Sequence, residues 1–180
     1  MSYIKTKYSR GIVALLSTLP TLSNPEQGET AFCSENGRLM TYDGQLWMCD
    51  DFIKLTNNSG ATRNAGDLMV FETTSGTTPN LANVTTIFAS DFVAGPVIYQ
   101  SLENEPVAIA YKGIYKINCY YGGSAPTTIG FIVRCGAISA QANIAATYVS
   151  PGLFAYTIEI PTSEPSLVKC LLRNKVEYSL

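Results

Sequence analysis

Few residues in this chain are suited to chemistry. It contains no histidine, which removes the commonest general base and the commonest metal ligand and argues against imidazole-dependent triads and zinc sites. The acids that could pair for hydrolysis are Asp50 with Asp51, Glu103 with Glu105 and Glu159 with Glu164. Neighbouring strand residues point to opposite faces, so these are read as solvated acids rather than as a glycosidase pair. There is no G-x-S-x-G elbow, no phosphate-binding G-x-x-x-x-G-K and no dinucleotide fingerprint. Cys33, Cys49, Cys119, Cys135 and Cys170 are odd in number and form no C-x-x-C pair, so reduced, buried thiols are expected in place of a metal or redox centre. The expectation is a protein that is not an enzyme, with no cofactor and no metal.

Binding chemistry has slightly more to work with. Tyr120 and Tyr121 beside Gly122 and Gly123, with Tyr99 and Gln100, are the only residues approaching the clustered aromatics and amides that bind sugars. A strand running into a hairpin turn explains the tyrosine–glycine stretch more simply. Asn57-Asn58-Ser59 and Asn83-Val84-Thr85 fit the glycosylation pattern but are read as loop residues. Lys5, Lys7 and Arg10 face no acid before Glu26, so the first 25 residues carry +3 within a net charge of -2. Three cations are a thin footprint for nucleic acid, and none is expected as a partner. The apolar run Ile12-Val13-Ala14-Leu15-Leu16 is far short of the ~20 residues that span a bilayer. Neither a membrane span nor a cleaved leader is expected.

The elements that must carry these residues are strands. Charged residues make up 14% of the 180 and hydrophobic ones 46%, too little charge to wet a free surface, which points to faces covered by partners. Residues 1–24 read as an extended arm unable to form its own core. Residues 25–55 read as a three-stranded meander, because Asn36-Gly37 and Asp43-Gly44 are dipeptides that accept positive φ in tight hairpins. So small a sheet must pack an apolar face on a neighbour or on its own copies, with Phe32, Leu39 and Trp47 as the expected contacts. The polar stretch 56–64 reads as a linker. Residues 65–180 carry short apolar runs at about ten-residue spacing, as in an antiparallel sandwich or a barrel-like domain.

Gly28-Glu29-Thr30-Ala31-Phe32, followed by Gly37-Arg38-Leu39-Met40-Thr41-Tyr42-Asp43-Gly44-Gln45-Leu46-Trp47, resembles a meander recurring in fibre, collar and decoration proteins of tailed bacteriophages. Ala65-Gly66-Asp67-Leu68-Met69-Val70, Val107 through Ile117, Ser150-Pro151-Gly152 and Leu167 through Leu171 resemble the β-domain of phage head fibres, including those of crAss-like short-tailed phages. The resemblance implies a virion protein on the capsid exterior, assembled in the host cytoplasm, with the major capsid protein and other fibre or decoration proteins as partners. It favours a homotrimer, with a dimer next. The arm then serves as the capsid anchor: Lys5, Lys7 and Arg10 steer it to an acidic surface, while Tyr8, Ile12, Leu15 and Leu16 bury on contact. The alternative is an adhesin that binds host-surface glycans.

Overall fold

The computed structural model describes residues 9–74, 78–85, 93–121, 126–135, 141–145, 153–163 and 165–172. The fold is all-β, and the chain divides into two compact units at Asp50 and Asp51. The first carries β1 (Ser9–Val13), a 3-10 helix (Leu16–Thr21), β2 (Thr30–Cys33), β3 (Arg38–Tyr42) and β4 (Trp47–Met48) in a sheet of order β1-β2-β3-β4. The β2-β3-β4 part is antiparallel. Its turns follow the local chemistry, with Gly37 at φ 68 and Gly44 at φ 104. Asp43 Oδ1 accepts from the Gln45 and Leu46 backbone N–H groups at 2.8 Å each, closing the second turn.

From residue 9 onward the expected arm is part of this sheet. β1 pairs with β2 in parallel, and Val13, Leu16 and Leu19 are buried. A parallel neighbour leaves no hairpin turn in the sequence, because the connection crosses over through the 3-10 helix and the loop after it. The N-cap residue of the 3-10 helix, Leu15, makes no side-chain cap, and the helix contains Pro20.

The second unit holds β5 (Phe52–Asn57), β6 (Leu68–Thr74), β7 (Thr78–Thr85), β8 (Val93–Pro96) and β9 (Pro106–Ala110) in a sheet of order β8-β6-β7-β5-β9. It continues with β10 (Gly113–Tyr120), β11 (Ile132–Cys135), β12 (Ala142–Ala145), β13 (Leu153–Thr157) and β14 (Ser166–Leu172), which close into a barrel of order β10-β12-β11-β13-β14. Met69, Ala94, Val97, Val107 and Ile109 form a core on the sheet, with Ile53, Leu55 and Phe71 packed against it. The barrel interior takes the alternate residues Tyr115, Ile117 and Cys119 of β10 and Val168, Cys170 and Leu172 of β14. Both layers include a parallel pair, β5 with β7 and β10 with β12, so the unit is not purely antiparallel.

Two glycines permit close approaches in this unit, one between strands of the sheet and one between the sheet and the barrel. Gly95 has φ 140, and a Cβ there would lie 1.9 Å from the Ala110 carbonyl oxygen, so only glycine lets β8 come this close to the end of β9. Gly66 (φ 91) sits where a Cβ would meet a methyl of Leu167 at 2.3 Å. Its N–H donates to Val97 O and its carbonyl accepts from Asn118 N, each at 2.8 Å, tying the sheet to the barrel.

The polar stretch after β5 is not a linker. Asn57 is fully buried, and its Nδ2 donates to the carbonyls of Ala61 (3.0 Å), Ser101 (3.1 Å) and Leu102 (3.1 Å). Its Oδ1 accepts from Ser59 Oγ at 2.7 Å. Arg63 and Ser101 exchange backbone bonds at 2.9 and 3.0 Å. The unit therefore starts at Asp51, ahead of the expected Ala65. An Asn amide can stand in for backbone groups, so a polar loop is held as firmly as a strand.

Candidate functional site

Alternation along β1, β2 and β3 divides the first sheet into two faces. Ala31, Cys33, Met40, Trp47 and Val13 are buried on one. Trp47 also meets the Tyr42 ring, centroids 5.5 Å apart and tilted by 50°. The other face presents Ile12, Phe32 and Leu39. The strand register places Ile12 opposite Phe32, and Phe32 opposite Leu39, so three residues far apart in the chain form one row across three strands. They are 76%, 40% and 59% exposed. A second row, Thr30, Thr41 and Met48, lies beside it.

Such a row is more than scattered surface apolarity, because directly opposed side chains make a continuous strip. Burying an Ile, Phe or Leu side chain stabilises by about 1.5–3 kcal/mol, and scaled to these exposures the row offers roughly 3–5 kcal/mol. Association costs at least about 4 kcal/mol in lost translation and rotation. One row against a polar surface therefore holds nothing, whereas row against row, or row against an equally apolar partner, yields a net gain.

The expected anchor residues are dispersed. Lys5, Lys7 and Tyr8 lie outside the described residues. Arg10 is engaged within its own unit: Nε donates to Glu29 Oε2 at 2.7 Å and Nη2 to Asn24 O at 3.1 Å. The guanidinium holds the Glu29 carboxyl below the ordinary carboxylate range, against an opposing effect of burial. Leu16 is buried, and its N–H donates to Glu35 Oε2 at 2.7 Å, while Leu15 remains half exposed. Of the expected packing residues, Phe32 and Leu39 belong to the exposed row, and Trp47 is interior. By sequence alone Ile12 belongs to a separate arm. The alternation of β2 and β3 is visible from the hairpin, but no local pattern signals that β1 pairs in parallel beside them.

The residues considered for other chemistry are mostly occupied. Asp51 is buried, accepts from Tyr115 Oη at 3.0 Å and lies 3.9 Å from Lys112 Nζ. Tyr99 and Tyr120 are buried, which withdraws two of the three tyrosines of a sugar platform, and Gln100 donates to Asn64 Oδ1 at 3.0 Å. Cys33, Cys49, Cys119 and Cys170 are thiols outside any disulfide. The hydrogen bond with Cys119, followed by burial, pushes the Cys170 thiol up. Among the described residues no three His, Cys, Asp or Glu side chains cluster to hold a metal, and no helix is long and apolar enough to cross a membrane. No family model matches the chain, and no curated protein matches it.

Proposed function

We propose that this protein is a structural subunit of a phage virion, a head fibre or capsid decoration protein, whose N-terminal unit mediates assembly. The observation carrying the reading is the exposed row Ile12–Phe32–Leu39 on a small sheet whose opposite face is already buried. A row of this size functions only against another apolar row, and a second or third copy of the same chain supplies one by symmetry. The resemblance of residues 28–49 to virion meanders favours a trimer, with the major capsid protein met by the residues leading into β1.

Sedimentation velocity on the full chain, beside the triple variant Ile12→Thr/Phe32→Thr/Leu39→Thr, tests this. Threonine keeps strand propensity, so circular dichroism should show both proteins folded. At high salt the wild type should sediment as an oligomer, and the variant should lose that association and fail to decorate purified heads. A wild type that stays monomeric at micromolar concentration, or a folded variant that assembles normally, overturns the proposal. Retention by host-surface glycans without self-association would favour the adhesin instead.

A further inference from the structure

The second unit carries an electrostatic conflict on its surface. Lys116 of β10 and Lys169 of β14 are direct register partners, and both side chains are exposed on the outer face of the barrel. Like charges directly opposite one another destabilise a strand pair. Among the described residues no ion pair reaches either ammonium. Glu159 is engaged nearby through Oε1, which accepts from the Lys169 backbone N–H at 2.5 Å. The pair is flanked by apolar surface: Ile114 and Leu171 are themselves register partners, each 44% exposed, and Leu167 is 51% exposed on the other side.

The same unit has a complementary feature. The turn before β9 runs Leu102-Glu103-Asn104-Glu105, with Leu102 57% exposed and Glu105 exposed. Glu103 Oε2 is buried without a hydrogen-bond partner. Elsewhere in the unit Asp51 lies beside Tyr115 and Lys112, Asp67 beside Asn64 and Asn118, and Glu159 beside Lys169 N–H. Among the described side chains of the unit, Glu103 and Glu105 are the acids without a side-chain partner. The turn itself is rigid, since Asn57 N donates to Glu105 O at 3.0 Å, Asn104 N donates to Asn57 O at 2.7 Å, and Asn57 Nδ2 donates to Leu102 O.

We propose that the Leu102–Glu105 turn of one copy docks on the outer face of β10 and β14 of another, with Leu102 against Ile114 and Leu171, the exposed Glu105 against Lys116 and Lys169, and the half-buried Glu103 adding its charge beside it. One unit thus bears both halves of a head-to-tail contact, two surfaces in different layers, each with a charge of one sign beside exposed leucine or isoleucine. The contact is heterologous, so copies joined by it form a ring if the rotation closes and a chain if it does not. It is separate from the apolar row of the first sheet and differs from it in depending on charge.

Salt separates the two contacts, because ion pairs at a surface are screened and apolar burial is not. Sedimentation equilibrium is run on the Ile12→Thr/Phe32→Thr/Leu39→Thr protein, so that only the second contact is read. At low salt it should still associate, and raising sodium chloride should dissociate it. Lys116→Glu/Lys169→Glu in that background should weaken the low-salt association at least about tenfold, as should Glu103→Lys/Glu105→Lys. Mixing the two reversed proteins should restore hetero-association. The single change Lys116→Glu, which turns the opposed pair attractive, should raise the thermal midpoint while weakening association, so loss of folding cannot account for the result. A background protein that is monomeric at every salt concentration, or reversed proteins that fail to recover on mixing, overturns this contact and leaves the apolar row untouched.

Discussion

Asn57→Ala should be among the most damaging single changes in the second unit, although it falls in a stretch composed like a flexible linker. The side chain is fully buried and its amide serves three carbonyls, those of Ala61, Ser101 and Leu102, at 3.0–3.1 Å. Each lost hydrogen bond removes a net ~0.5–1.5 kcal/mol, and an acceptor left buried costs more. With two amide hydrogens shared among three acceptors, the loss sums to about 2–4 kcal/mol. Asn57→Asp should cost at least as much near neutral pH, because a carboxylate would face three carbonyl oxygens. Its carboxyl in the folded state would titrate above the unfolded value, so the folded state binds the extra proton and the variant should regain stability as pH falls. Urea unfolding followed by tryptophan fluorescence and circular dichroism measures both variants, with fluorescence reporting on the first unit, where Trp47 lies, and circular dichroism on both, so that a transition shifted in circular dichroism alone belongs to the second. A loss below about 1 kcal/mol for Asn57→Ala, or an Asn57→Asp protein whose stability falls on acidification in parallel with the wild type, would refute the view that this loop is held by one side chain.

Further outcomes follow from single sites. Gly95→Ala should destabilise by about 3 kcal/mol or more, because its Cβ would lie 1.9 Å from Ala110 O. Gly37→Ala, with nothing within 4 Å of the new methyl, should cost only the ~1–2 kcal/mol of a left-handed residue; equal thermal shifts for the two would discount the steric argument. In native protein Cys49 should react with a maleimide ahead of Cys33, Cys119 and Cys170, which are buried; mass spectrometry of the labelled peptides gives the order, and early labelling of Cys170 contradicts it. Glu29, held below its ordinary value near 4.5 by Arg10, binds fewer protons folded than unfolded. Its contribution is present above that value and lost as pH falls through the folded pKa. The stability difference between wild type and Arg10→Gln should therefore shrink on acidification, as thermal melts across that range would record, and a constant difference would show that the pair contributes nothing electrostatic.

The all-β class and the two tight hairpins of the first unit were legible from residue types, because a turn is a local event. Asn36-Gly37 and Asp43-Gly44 carry their own φ requirement and hydrogen bonds, and two-residue alternation then assigns Phe32 and Leu39 to one face without reference to the rest of the chain. Only the tertiary structure could place Ile12 beside them. A parallel pairing such as β1 with β2 has no connecting turn to betray it, and a one-residue change of register would send Ile12 to the opposite face. Asn57 illustrates the same division. Its neighbours Asn58, Ser59 and Gly60 mark a loop by composition, but whether a loop is free or held depends on carbonyls contributed by residues 101 and 102, over forty positions away. The opposed lysines of β10 and β14 came to light for that reason too, since nothing near Lys116 in the chain indicates that Lys169 stands across from it. Local preferences reside in single residues and their immediate neighbours, whereas register between distant strands is settled by which faces can be buried together, and that is a property of the whole chain.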